Sequence, residues 1–330
     1  MRQDTWQSQL AASSWTLSAL CAHLELDPAQ CVSPESLAAA DEFMIRAPHA
    51  FLSRIEKGNP NDPLLKQILP TAEEQVSSPH YVKDPLNEAA YRSARGIIHK
   101  YRHRVLLTLS GACAIACRYC FRRHYPYQSE VPSQAQWQQA LDYLQAHPDI
   151  QEVILSGGDP LMWKDKRLAQ LFEALSEIPH LRRLRIHTRL PVVLPDRITP
   201  TLMSLLEATR FDVVLVSHIN HPAEIDQAVI EAFRALRGVH LLNQSVLLKG
   251  VNDQVDTLCA LSHRLFAAGI LPYYLHLLDP VAGSGHFFVS EENAVALMRE
   301  LCDQLPGYLV PRLAQEVTGA GSKRWVAIHA

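Results

Sequence analysis

At 330 residues, with 31 basic against 34 acidic side chains and a formal charge of −3, the chain is enzyme-sized and close to neutral, long enough to bury one large core or about two ordinary ones. It has no sustained run of one charge sign, which argues against a nucleic-acid tail or a membrane-surface patch. No stretch approaches the roughly 18 apolar residues of a spanning helix and the N-terminus lacks a signal-peptide core, so a cytoplasmic protein with small-molecule partners, and neither nucleic acid nor membrane, is expected.

In chain order, residues 1–95 read as helices broken by proline and polar clusters, a helical N-terminal domain in which Ser33 caps SPESLAAADEFMI with Glu35 close behind. The Pro-, Asn- and Asp-rich stretch GNPNDPLLKQILPTAEEQVSSPHYVKDPLNE reads as a loop-rich connector. Residues 96–305 then alternate short β-branched runs with amphipathic stretches, the pattern of βαβ units on a parallel sheet. The strands are expected at Val105–Ser110, Glu152–Ser156, Arg183–His187, Asp212–Ser217, His240–Leu247 and Tyr273–Leu278. The helices are expected at Ser133–Ala146, Lys166–Ser176, Pro200–Ala208, Ala223–Leu236, Val255–Ala268 and Glu291–Leu305. Six such units fall short of the eight that close a barrel, so the fold class is α/β, a partial (β/α)6 barrel with its site at the strands' C-terminal ends. A doubly wound sheet is the structural alternative. Residues 306–330 read as a C-terminal strand segment.

Seven cysteines are too few for a disulfide scaffold, but three fall together in Cys113-Ala-Ile-Ala-Cys117-Arg-Tyr-Cys120, on the loop after the first barrel strand. Cys21, Cys31, Cys259 and Cys302 are scattered and read as buried small hydrophobes. Three thiolates hold three irons of a cubane and leave the fourth open. Zinc would want a fourth ligand, for which His124 is at hand, but the spacing is unlike that of zinc fingers. After the second strand, Gly157-Gly158-Asp159-Pro160 would by itself be a turn. Near the C-terminus, Thr318-Gly-Ala-Gly-Ser-Lys323 sets a lysine beside small residues, a surface turn or a Schiff-base site for pyridoxal phosphate.

The cysteine spacing, its position after a first strand and the glycine-rich turn one unit later resemble the radical S-adenosylmethionine superfamily. A longer set narrows the resemblance: Arg104–Ser110, Phe121-Arg122-Arg123, Ile186–Pro195, Ser217–Pro222, Gln244–Asp253, Pro272-Tyr273-Tyr274 and Gly283–Phe287. Together, from about residue 60 to 325, these are similar to the lysine 2,3-aminomutase family, and in their short form to its branch devoted to β-lysylation of elongation factor P.

That resemblance implies a [4Fe–4S] cluster on Cys113, Cys117 and Cys120 that cleaves S-adenosylmethionine, whose methionine amino group meets Gly157, Gly158 and Asp159. Lys323 corresponds to the lysine that binds pyridoxal 5′-phosphate, and Arg104 with Lys100 to its phosphate anchors, Lys100 standing where the family has arginine. Arg122 would grip the substrate carboxylate, with Asp279 and Glu316 on the far ammonium, Glu316 replacing a family aspartate. His218, Asn220, His221 and Gln244 sit where the family positions its adenosyl and pyridoxal groups. The implied activity converts L-lysine to (R)-β-lysine, passed to an elongation factor P lysyl ligase. Long family members carry a zinc-binding C-terminal extension; with the chain stopping at Ala330 and Gln254 in the facing loop, no zinc and a smaller homo-oligomer are expected. The alternatives are the same chemistry on another amino acid such as glutamate, which would need a cation where Asp279 and Glu316 stand, or a non-catalytic iron–sulfur module.

Overall fold

The computed structural model describes residues 5–131 and 137–328. One sheet of ten strands organises it, and its spatial order follows the chain. The strands are β1 (Arg92–Ala94), β2 (Ile97–Tyr101), β3 (Arg104–Ser110), β4 (Glu152–Gly157), β5 (Arg183–Thr188), β6 (Asp212–Ser217), β7 (Val239–Val246), β8 (Leu271–His276), β9 (Arg312–Gln315) and β10 (Arg324–Trp325). From β3 to β9 every neighbouring pair is parallel; β1–β2, β2–β3 and β9–β10 are antiparallel. Helices α1 (Trp137–Ala146), α2 (Asp165–Ser176), α3 (Pro200–Ala208), α4 (Gln227–Arg234), α5 (Val255–Ala267) and α6 (Glu291–Gln304) follow β3 to β8 in turn. A doubly wound sheet reverses its strand order partway; here the order never reverses, so the chain winds in one sense, as a barrel does. The ends β1 and β10 are not paired to each other, which leaves the barrel open.

Side chains alternate along each strand, and the two faces differ. Leu107, Val153, Leu155, Leu184, Ile186, Val213 and Leu215 are buried in the main apolar cluster with Leu168, Phe172 and Phe233 of the helices. The intervening positions, among them Arg104, Ser156, Arg185, His187, His218, Gln244 and His276, line a cavity of about 890 Å³.

The expected elements form close to their expected bounds. Helix Ala223–Leu236 is shorter than expected because Asp226 accepts a hydrogen bond from Val229 N and starts α4 at Gln227. The expected helix start at Ser133 lies outside the described residues. Ser33 does cap the helix Pro34–Glu42, but its reciprocal partner is Ser36, not Glu35. Cys21 and Cys31 are buried, whereas Cys259 and Cys302 are only half-buried.

The N-terminal region is mainly short helices, joined by a two-residue ladder between Ser14–Trp15 and Ile45–Arg46. Its Trp6, Leu20, Phe51 and Leu64 share one apolar cluster with barrel residues Val105 and Leu107. A buried ion pair adds a polar tie: Arg118, on the cysteine loop, donates to Glu74 Oε1 at 2.8 Å and Oε2 at 2.6 Å and to Ala39 O at 2.9 Å. Among the described residues no helix is long and apolar enough to cross a membrane.

Candidate active site

Cys113, Cys117 and Cys120 all line the cavity on the loop after β3. A tight turn, Cys120 N to Cys117 O at 3.0 Å and Arg123 N to Cys120 O at 3.0 Å, fixes their order. Burial pushes the Cys113 thiol well up and the Cys120 thiol up to about 11, and the neighbouring cysteines add to both. Thiols so placed give up their protons to a metal rather than to water. Among the described residues no three His, Cys, Asp or Glu side chains gather closely enough to share a single metal ion. A cubane asks for the opposite arrangement, one thiolate on each of three irons, and the loop fits it.

Gly157, which ends β4, and Gly158 both line the cavity and also pack closely on backbone. A Cβ on Gly157, whose φ is +111°, would lie 2.7 Å from Ser110 O, and one on Gly158 would lie 2.5 Å from Ala112 O. They let the end of β4 lie directly on the start of the cysteine loop. Asp159 lines the same cavity, and its carboxylate accepts from Thr188 Oγ1 (2.7 Å), Leu161 N (2.9 Å), Arg189 N (2.8 Å) and Leu190 N (2.9 Å), so it joins two strand-end loops. Arg122 lines the cavity with its fork closed on Glu88, Nε to Oε2 at 2.8 Å and Nη2 to Oε1 at 2.6 Å. Only Nη1, which donates to Ser156 Oγ at 3.0 Å, stays turned from that carboxylate. No local pattern marks Glu88 in the sequence.

Opposite the cysteines lies a cluster of charges. Glu316, just past β9, accepts from Tyr101 Oη at 2.7 Å and Lys100 Nζ at 3.0 Å, and pairs with Lys323 Nζ. Burial by itself would raise Glu316; Lys323, Tyr101 and Lys100 outweigh it and hold the carboxyl down at about 2. Arg104 stacks over the Tyr101 ring at 4.1 Å. Asp279 faces the same cavity, and there burial wins over the Lys323 charge, raising its carboxyl to about 7. Since Lys100 lies on β2, this cluster joins the two ends of the open sheet.

Of the four residues expected near the adenosyl and pyridoxal groups, His218 and Gln244 line the cavity. Asn220 and His221 are not among its lining residues. Asn220 is fully buried and spends its amide on Tyr119, Gln67 and Val246 N. His221 Nδ1 accepts from Ala223 N and caps a short 3₁₀ turn. Burial and the nearby Arg189 hold His218 down at about 3, so it is neutral, with Nε2 2.8 Å from Tyr119 Oη. Burial likewise keeps His187 and His276, both cavity-lining, neutral. His187 and Arg189 stand in the run that ends the third barrel strand, whereas His276 is marked only by the inward alternation of β8. Gln67 and Glu224, which join Arg189 in a buried polar network, have no local signature.

Residues 107–261 match the model of the Radical SAM superfamily. The L-lysine 2,3-aminomutase of Haemophilus influenzae is 52% identical over 291 residues, 88% of this chain and 86% of that protein. That of Escherichia coli is 47% identical over 323 residues, 97% of this chain and 94% of its own length. The Clostridium subterminale enzyme of the same name is 38% identical over 277 residues, 83% of this chain and 66% of that longer protein. With these relatives covering most of its length, the chain belongs to the L-lysine 2,3-aminomutase family of radical S-adenosylmethionine enzymes, isomerases that use a [4Fe–4S] cluster and S-adenosylmethionine.

Proposed function

We propose that the protein converts L-lysine to (R)-β-lysine with the help of pyridoxal 5′-phosphate, and that the product serves the modification of elongation factor P. One observation carries the reading: a single cavity is lined both by the three cysteines and by Lys323, Lys100, Arg104, Glu316 and Asp279. Its volume, about 890 Å³, suits two small cofactors and an amino acid. The donor set fits pyridoxal phosphate: Lys100 and Arg104 flank Tyr101 as cations for a phosphate, and Lys323 supplies an amine. The cluster and S-adenosylmethionine supply a carbon radical, and pyridoxal phosphate makes an amino group able to migrate.

The chain's own groups bind and orient. Lys323 must shed a proton before its amine can act as a nucleophile, and Glu316, ionised and paired with its Nζ, holds that side chain in place rather than taking the proton. Asp279 and Glu316 place acidic groups where the side-chain ammonium of lysine would lie. Arg122 Nη1, the edge turned from Glu88, donates to Ser156 Oγ and at 3.4 Å to Gly157 O and would exchange those bonds for a substrate carboxylate. Buried, neutral His187, His218 and His276 shape the cavity without adding charge.

The iron-reconstituted protein, given lysine, S-adenosylmethionine, pyridoxal phosphate and dithionite without oxygen, is expected to form β-lysine. Absence of β-lysine from a preparation with a full, reducible cluster sinks the proposal. Borohydride reduction of the cofactor-loaded protein is expected to fix the label on Lys323, detected by peptide mass. Delivery to elongation factor P is checked by supplying the product and its lysyl ligase and weighing the factor.

A further inference from the structure

Arg189, the first residue beyond β5, is 6% exposed and points its guanidinium at the cysteine loop. Nη1 donates to Cys117 Sγ at 2.8 Å and to Tyr119 Oη at 2.8 Å. Nη2 donates to Gln67 Oε1 at 2.6 Å and Glu224 Oε2 at 2.8 Å. Gln67 and Glu224 are themselves fully buried and bonded to each other at 3.2 Å. The backbone is fixed as well, because Arg189 N is held by Asp159. A cation clamped from both ends therefore stands on one of the three sulfurs, where neither water nor salt screens it well.

Hydrogen bonds to cluster sulfurs and the local net charge are main determinants of an iron–sulfur potential. Reduction adds one negative charge to the cluster, so a fixed cation beside a ligand sulfur stabilises the reduced form. Glu224 opposes it by offsetting part of that charge. We propose that Arg189 is a positioning residue that raises the reduction potential of the cluster through Cys117, and that Glu224 sets how far. The inference rests on the cluster being held by Cys113, Cys117 and Cys120, and it makes two substitutions act with opposite sign, which a purely structural role would not do.

The test is an anaerobic redox titration of the reconstituted full chain, followed by the electron paramagnetic resonance signal of the reduced cluster. At the potential where the unsubstituted protein is half reduced, Arg189→Gln is expected to lower the ratio of reduced to oxidised cluster about tenfold, or about 59 mV for a one-electron couple. Glu224→Gln is expected to raise that ratio, and Arg189→Lys, which keeps the charge but loses the fork, to fall between Arg189→Gln and the unsubstituted protein. Shifts of the same sign for Arg189→Gln and Glu224→Gln, or no shift in either, overturn the proposal. Should Arg189→Gln load no iron, the Glu224→Gln shift decides: upward supports the proposal, unchanged or downward overturns it. An unsubstituted protein with no reducible cluster would overturn the cluster assignment itself, a separate result.

Discussion

Burial raises the Asp279 carboxyl to about 7, while three hydrogen-bonded partners hold Glu316 down at about 2, so two acids on one cavity wall differ in charge near neutrality. Below about pH 7 Asp279 is neutral and offers no charge to an ammonium group. The value of kcat/KM for lysine, which reports groups of the free enzyme, is accordingly expected to rise as pH climbs through about 7. Asp279→Asn should flatten that limb of the profile and lower kcat/KM about ten- to hundredfold, the loss of a charge-assisted hydrogen bond. Residues of this kind were legible in the sequence because each ends a strand or belongs to a short motif: the cysteines, Lys323, Asp279. Glu88 and Glu224 were not legible as site-shaping groups, since their meaning comes from Arg122 and Arg189, which only the folded chain brings to them.

Short elements show where periodicity suffices and where it fails. The six parallel strands and their helices repeat a pattern long enough to read, and their C-terminal ends carry the cavity. The hairpin β1–β2 lies between the connector and the first expected strand, where no element was expected: β1 has three residues and β2 five, and Gly96, with φ at +78°, makes the turn between them. Glycine-rich motifs mislead in another way, because sequence cannot tell whether the missing Cβ makes room for a ligand or for backbone. At Gly158 it is backbone, with Ala112 O as the near neighbour. Gly158→Ala should therefore push the cysteine loop away, costing about 1–3 kcal/mol. The check is denaturant unfolding together with iron content after reconstitution, both expected to fall; normal iron loading would show that the loop tolerates the shift.

Across the whole molecule, the N-terminal helices and the barrel are joined by one apolar cluster and by Arg118 on Glu74, which also pairs with Arg123 at 2.9 Å. Arg118 has no exposed side-chain surface, so Arg118→Met leaves Glu74 short of a partner and removes the donors to Ala39 and Phe43. A loss of about 3–5 kcal/mol in denaturant unfolding is expected, with the N-terminal and barrel regions still melting together. At the opposite side of the molecule, Lys100 and Glu316 clasp the two ends of the sheet although they lie 216 residues apart in the chain. Contacts of such long range close late, and a chain made from its N-terminus folds its early segments first. A chain clipped before Glu316 would keep the cysteine loop but lose this clasp, and with it Lys323 from the cavity.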